Sequence, residues 1–447
     1  MSSFGHIRSM AAGILLVFAA VALGVPPKVV RTVPENGADD VNPKLREIRI
    51  VFDQDMDQDG FSICGGGPKY PKTVGRARWV NKRTIVMRVK LAANHDYELS
   101  VNCPRYKNFK NVRGEAVRPY PVKFRTGALE EGQAERPSAV ENKESMEELR
   151  RAIDENYSYR DLRKVNWDEL FRRYGPKMEQ AKDARGFAEA AAELLAHAED
   201  AHIWVKIDDE TVGGFRREIK RNYNAEVLKN VVPGWQQLSS VVYTGRYTDG
   251  IGYILIASWS GEHAEALAQA YAAIWDFTEA PGLIIDVRCN GGGAEPLARE
   301  FAGCFVDEPK VYAQHVYRSA DAPGGFGQVN NRVLEPNKHR PRYRGKVVVL
   351  MGPANMSSCE AFLLMMKQVG GCKLVGETSY GGSGNPKPVN LGNGVSVFLP
   401  SWKAMRPDGT CFEGEGIRPD VIVEASEVEL ISRDPVLEAA LKLLRQR

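Results

Sequence analysis

The sequence predicts a multidomain chain: an all-β sandwich first, then a helical subdomain, then an α/β core. Three observations carry that prediction. Short runs alternating apolar and polar residues fill 28–127, apolar residues recur at helical spacing through 145–205, and long apolar runs alternate with helical ones through 206–447. A chain of 447 residues has room for two or three such domains, each with its own core.

Composition excludes some functions. The 60 Lys+Arg against 57 Asp+Glu give no electrostatic case for nucleic acid. Arg8 followed by the apolar run Met10 to Val25 has the form of a secretory signal, and Ala22-Leu23-Gly24 supplies the small residues a signal peptidase reads. Residues 1–24 are therefore expected to be a signal peptide cut after Gly24, with the mature chain periplasmic or secreted. The run is short for a spanning helix and meets Pro26-Pro27, so an uncleaved membrane anchor is the lesser reading. Export permits disulfides: of the seven cysteines, Cys64 and Cys103 in the first domain could pair. Cys289, Cys304, Cys359 and Cys372 read as core cysteines first and an oxidised pair second. There is no CxxC or HExxH, so neither a metal nor a cofactor is expected.

In the sandwich, Arg46 to Phe52, Thr84 to Val89 and Pro121 to Thr126 alternate as half-buried strands do. Residues 128–144 are polar and aperiodic and read as a linker. In the helical segment Leu149, Ile153 and Tyr157 share one face, and Phe187, Ala190, Ala191, Leu194 and Leu195 another. It ends near His202. A histidine there can serve as base and then acid near neutral pH, although a structural histidine at a helix C-terminus is the competing reading. His197, one turn earlier, has no motif around it and is given no role.

Two stretches of the core carry chemistry. Lys346 to Met351 reads as a buried strand, Gly352-Pro353 breaks it, and Ser357 then opens a run in which Ala361, Phe362, Met365 and Met366 repeat at helical spacing. A serine at a strand-to-helix turn is exposed beside free N–H groups that favour developing negative charge. An ordinary N-cap, with Glu360 completing a capping box, is the alternative. The second stretch, Pro281 to Gly293, is an apolar strand running into three glycines, whose backbone N–H groups can approach a substrate oxygen as an oxyanion hole. Neither the P-loop spacing nor GxGxxG is present.

Together these stretches resemble the C-terminal processing (tail-specific) and tricorn-core serine peptidases. Asp286, Arg288, Asn290, Gly292 and Gly293 meet the family's D-x-R-x-N-x-G-G turn, and Ser357 and Glu360 its S-x-x-E helix. Leu374-Val-Gly-Glu377 with Gly381 looks like its V-G-E-x-T-x-G segment, and Glu413 to Asp420 like its E-x-x-G-I-x-P-D close. The resemblance implies a ClpP/crotonase-like core and a peptide or protein as substrate; separately, Thr32 to Val41, Phe52 to Asp57 and Phe124 to Gly127 resemble a bacterial Ig-like domain spanning residues 28–127. Many members carry a PDZ domain where residues 206–245 leave too little sequence for one. The lysine of the Ser-Lys branch is also missing, because Gly382 stands in its place and neither Lys373 nor Lys387 fits the motif. The tricorn-like branch implies Ser357 as nucleophile, His202 as base and Glu413 orienting the imidazole, with the N–H groups of Gly292 and Ser358 as oxyanion hole. Ser358 and Glu415 are the fallbacks for a slipped register. A catalytically inactive binder of an apolar ligand or peptide, as in the retinoid-binding protein of the same fold, is the alternative. An acyl-CoA hydratase-like enzyme ranks lower, since an exported protein rarely meets acyl-CoA.

Overall fold

Alternating burial in the first hundred described residues produces two small sheets. In Glu47–Phe52 every second residue is buried, so Ile48, Ile50 and Phe52 enter the core. The computed structural model describes residues 25–446 apart from 75, 129–138, 320, 321, 323 and 324, so the expected signal peptide and most of the expected linker lie outside the described residues. The chain divides into two compact units after Gln133.

In the first unit one sheet has the order Val29–Val33, Glu47–Phe52, Thr84–Lys90, Lys72–Thr73, with Arg78–Asn81 also on Thr84–Lys90. The other runs Asp39–Val41, Tyr120–Thr126, Asp96–Val101, Ile63–Cys64. Ile48, Leu99, Val122 and Phe124 pack together between them, and Cys64 is bonded to Cys103.

The second unit opens with three helices, Ala139–Asn156, Trp167–Glu179 and Ala184–Ala196. The first begins inside the stretch expected to be linker through residue 144. Its first turns are polar because most of that face meets water, but Asn142 is buried and donates to Ala181 O at 3.0 Å. Asn166 and Asp183 cap the second and third helices, accepting the N–H groups of Glu169 and Gly186. Leu149, Tyr157, Phe187 and Leu194 share one hydrophobic cluster with Val205 of Trp204–Ile207 and with Val397 and Leu399 of Val395–Pro400. Those two strands pair antiparallel, so the helical segment is built onto a strand from late in the chain.

The central sheet has seven strands in the order Gln236–Gln237, Val242–Arg246, Gly252–Ile256, Gly282–Asp286, Lys346–Met351, Lys373–Gly376, Val421–Ile422. The last five are parallel. Both faces are covered, which is why these strands read as unbroken apolar runs. Ile254, Ile285 and Val349 face one cluster with the helices Ala268–Asp276, Glu295–Ala302 and Ser358–Met366. Tyr253, Ile284 and Leu350 face another with Pro435–Arg445. A smaller sheet joins Asn330–Leu334, Lys310–Tyr317 and Trp402–Met405. Its first strand lies in a polar, Asn-containing stretch of the sequence, and pairing with Lys310–Tyr317 orders it. Among the described residues no helix is long and apolar enough to cross a membrane.

Candidate active site

Asp286 is paired with Leu350 and Gly376 with Met351, so the carboxyl ends of three parallel strands lie side by side. Ligands of open α/β sheets bind at this edge, because loops from adjacent strands converge there. Three turns leave it: 287–293, 352–357 and 377–384. The first is anchored from beneath, where fully buried Arg288 meets Asp286 at 2.7 Å and Asp434 at 2.8 Å, and Tyr253 donates to Asp286 at 2.7 Å. The second is tied to the first by Asn355, whose amide donates to Val287 O at 2.5 Å and Asn290 O at 3.1 Å. Glu360 holds the third. Its carboxylate accepts the Ser379 hydroxyl at 2.5 Å and the Gly381 and Gly382 N–H groups at 2.8 and 3.0 Å, and burial still pushes it up to about 7.

Ser357 sits where these turns meet. Its backbone is at φ 58°, ψ −126°, a conformation a non-glycine residue holds only when its surroundings force it. Here the force is visible: its N–H donates to Gly382 O at 2.7 Å, and Ala361 N–H returns a bond to its carbonyl at 3.2 Å. The residue is half-buried and stands at the N-cap position of its helix, but its side chain makes no capping hydrogen bond. A Cβ on Gly292 would stand 2.6 Å from Met356 O and 3.0 Å from Ser357 Cβ, so only glycine lets the two turns touch.

The two expected oxyanion donors differ. Ser358 is the first residue of its helix, so its N–H has no intrahelical acceptor. The Gly292 N–H is already donated to Asn290 Oδ1 at 2.9 Å, a tight turn in which the side chain takes the amide two residues on. The Ser358 hydroxyl donates to Gly293 O at 2.6 Å and is spoken for. Glu415 is exposed beside Arg406, and Lys373 and Lys387 lie exposed on their strands.

His202 follows the third helix in a turn whose N–H donates to Asp200 Oδ1 at 2.8 Å. The imidazole is buried, which holds it below its ordinary value; Asp200 acts upward and Arg163 downward. Its Nδ1 is buried with no hydrogen-bond partner. Glu413, expected to orient it, is turned elsewhere: one oxygen meets Arg163 Nη2 at 2.5 Å and the other accepts Ser383 N–H at 2.9 Å. Burial and then Asp200 push the Glu413 carboxyl up, against Arg163 and Ser383 N–H. Arg163 also lies 3.9 Å from Asp200, which accepts the Tyr157 hydroxyl at 2.8 Å. Ser383 follows Gly382, whose carbonyl holds Ser357, so this acidic cluster adjoins the serine turn through two consecutive residues. Sequence reasoning gave Arg163, Asn355 and Asp434 no role. Their partners are far along the chain.

Family models match three segments: "Bacterial Ig-like domain" over residues 24–126, "Tricorn protease C1 domain" over 138–196 and "Peptidase family S41" over 250–423. The carboxy-terminal processing protease CtpB of Bacillus subtilis is 30% identical over 174 residues, 39% of this chain and 34% of that protein. The match thus spans about a third of that relative's length. A crystal structure of a candidate peptidase from Parabacteroides merdae superimposes with TM-score 0.59 and 26% identity, over 68% of this chain and 97% of that one. Mature CPAF, with TM-score 0.51 and 12% identity over 68% of this chain and 97% of its own, shares the fold. Residues 250–423 thus match the peptidase family S41, with a match to the tricorn protease C1 domain and one to a bacterial Ig-like domain before them in the same chain.

Proposed function

We propose that this chain is a serine endopeptidase that works outside the cytoplasm, with Ser357 as nucleophile, His202 as proton acceptor and Glu413 as the orienting carboxylate. The observation that carries the reading is Ser357 itself, a half-buried serine in a strained turn at the carboxyl edge of the sheet. Strain of this kind is kept where it aims a reactive atom. In the proposed reaction Ser357 Oγ bonds to the substrate's carbonyl carbon while its proton passes to His202. That proton leaves on the departing amine, and water then hydrolyses the acyl-enzyme by the same route. Ser358 N–H is the oxyanion donor, and Gly292 N–H becomes the second if the Asn290 side chain releases it. The Ig-like domain and the Cys64–Cys103 disulfide support an oxidising compartment. The CtpB likeness supports peptide or protein as the substrate.

A second reading is an inactive binder of a peptide or apolar ligand, favoured by the absence of a hydrogen bond between Glu413 and His202. A fluorophosphonate serine probe separates the two. Labelling of the wild type that is lost in Ser357→Ala and His202→Ala but kept in Ser358→Ala supports the peptidase. A folded wild type that stays unlabelled on both sides of neutral pH supports the binder.

A further inference from the structure

Two buried carboxylates, Asp200 and Glu413, share a single guanidinium. Asp200 is fully buried and the Glu413 side chain nearly so, while the Arg163 side chain is 18% exposed. Arg163 Nη2 stands 2.5 Å from one and 3.9 Å from the other, and its Nε is buried without a partner. Beside them is His202, whose Nδ1 is equally unpartnered. With both carboxylates ionised, this buried cluster of two carboxylates and one cation carries one negative charge, and a protonated imidazole would neutralise it.

We propose that Arg163 is a positioning residue of the peptidase site: its guanidinium holds Glu413 and Asp200 together as a counter-charge of one unit for the imidazolium that His202 becomes when it takes the serine's proton. The proposal rests on the Ser357, His202, Glu413 assignment above. In the resting arrangement Arg163 carries Glu413, and the move that completes the site brings that carboxylate to His202 Nδ1 while Arg163 stays with Asp200. No covalent bond is made or broken in that move: Glu413 exchanges its hydrogen bonds from Arg163 and Ser383 for one from His202 Nδ1, and the proton His202 gains comes from Ser357.

Other groups around the cluster do not supply the charge. Tyr157, Tyr159 and Tyr380 are all raised by burial, and so is Cys411, so they stay neutral through the working range. Glu360 also acts on Glu413, but it is fixed by Ser379, Gly381 and Gly382. Arg163 is the cation in contact with both carboxylates among the described residues.

The test compares wild type, Arg163→Gln and Arg163→Lys by two readouts. One is the His202 imidazole titration followed by NMR, which needs no activity. The other is the fluorophosphonate labelling rate across pH. Arg163 holds both His202 and Glu413 down, so its removal raises both and moves the acid limb of labelling to higher pH. Arg163→Gln is expected to raise the His202 midpoint by roughly 0.5 pH unit or more and slow labelling at neutral pH about tenfold or more. Arg163→Lys keeps the charge, so its midpoint stays near wild type. An unmoved His202 midpoint in folded Arg163→Gln overturns the proposal, as does an equal loss of labelling in both variants with an unmoved acid limb. A wild type that titrates as described yet never labels overturns the peptidase reading instead, because the charge relation then holds without catalysis.

Discussion

Asn355 donates its side-chain amide to the backbone carbonyl of Asn290 at 3.1 Å, so the turn bearing the candidate nucleophile is fastened to the glycine turn by one buried side chain. The same amide reaches Val287 O, and its Oδ1 accepts Gly352 N–H at 2.8 Å. Truncation in Asn355→Ala leaves the Asn290 carbonyl and the Gly352 N–H without this partner, while Val287 O keeps the Asn290 N–H. The expected cost is about 3 kcal/mol in urea unfolding, together with slower fluorophosphonate labelling. Unchanged labelling would mean that the turn holds its shape without this clamp.

The strained backbone of Ser357 predicts a trade between stability and reactivity. Ser357→Gly and Ser357→Ala both lack the hydroxyl, but only glycine is at ease at φ 58°. The glycine variant is expected to be more stable than the alanine variant by about 1 kcal/mol. Equal stabilities would argue that the surrounding hydrogen bonds do not force the conformation.

Glu360 predicts a pH-dependent stability. Its folded value of about 7 lies above the ordinary 4.5, so its contribution is full below the ordinary value and is lost as pH rises through about 7. Glu360→Gln has no such loss. Its stability relative to wild type is therefore expected to improve by roughly 3 kcal/mol between mildly acidic and alkaline pH. His202, held low by burial, acts in the opposite sense on the acid side, but it does so in both proteins and drops out of the difference. A difference that is flat with pH would show that Glu360 stays ionised throughout.

Asp434 serves two structures at once. It is paired through both oxygens with buried Arg288, and it caps the Pro435–Arg445 helix by accepting Leu437 N–H at 2.9 Å. Asp434→Ala leaves a buried guanidinium with Asp286 and the Asn222 carbonyl and is expected to cost about 4 kcal/mol. The unfolding transition of the second unit should move, and that of the Ig-like unit should not. A loss below about 1 kcal/mol would place this pair with weak surface ion pairs.

What was legible in the sequence was local. The strand-turn around Asp286 to Gly293 and the strand-turn-helix around Ser357 each announce themselves within a dozen residues, through apolar runs broken by glycine. The sandwich strands did so by alternation. Less visible were features whose cause is a distant partner. Arg163 meets Glu413 across 250 residues, and Arg288 meets Asp434 across 146. The strand Asn330–Leu334 is too polar to show a period and exists because Lys310–Tyr317 offers it an edge. For Glu413 the motif gives the position along the chain but not the guanidinium of Arg163 that holds its carboxylate.

Every residue of the Ser358–Met366 helix is buried, and it packs in a different hydrophobic cluster from the one beneath Tyr157, Tyr159 and Ile203. Its amides should therefore exchange with solvent only when the whole α/β layer opens, at the slow end of the domain's spectrum. The serine has no private route to disorder. The imidazole side rests on a turn and a loop, where small displacements need no such opening. In the proposed site, adjustment thus falls to the side that carries Arg163 and His202, and the candidate nucleophile Ser357 waits in place.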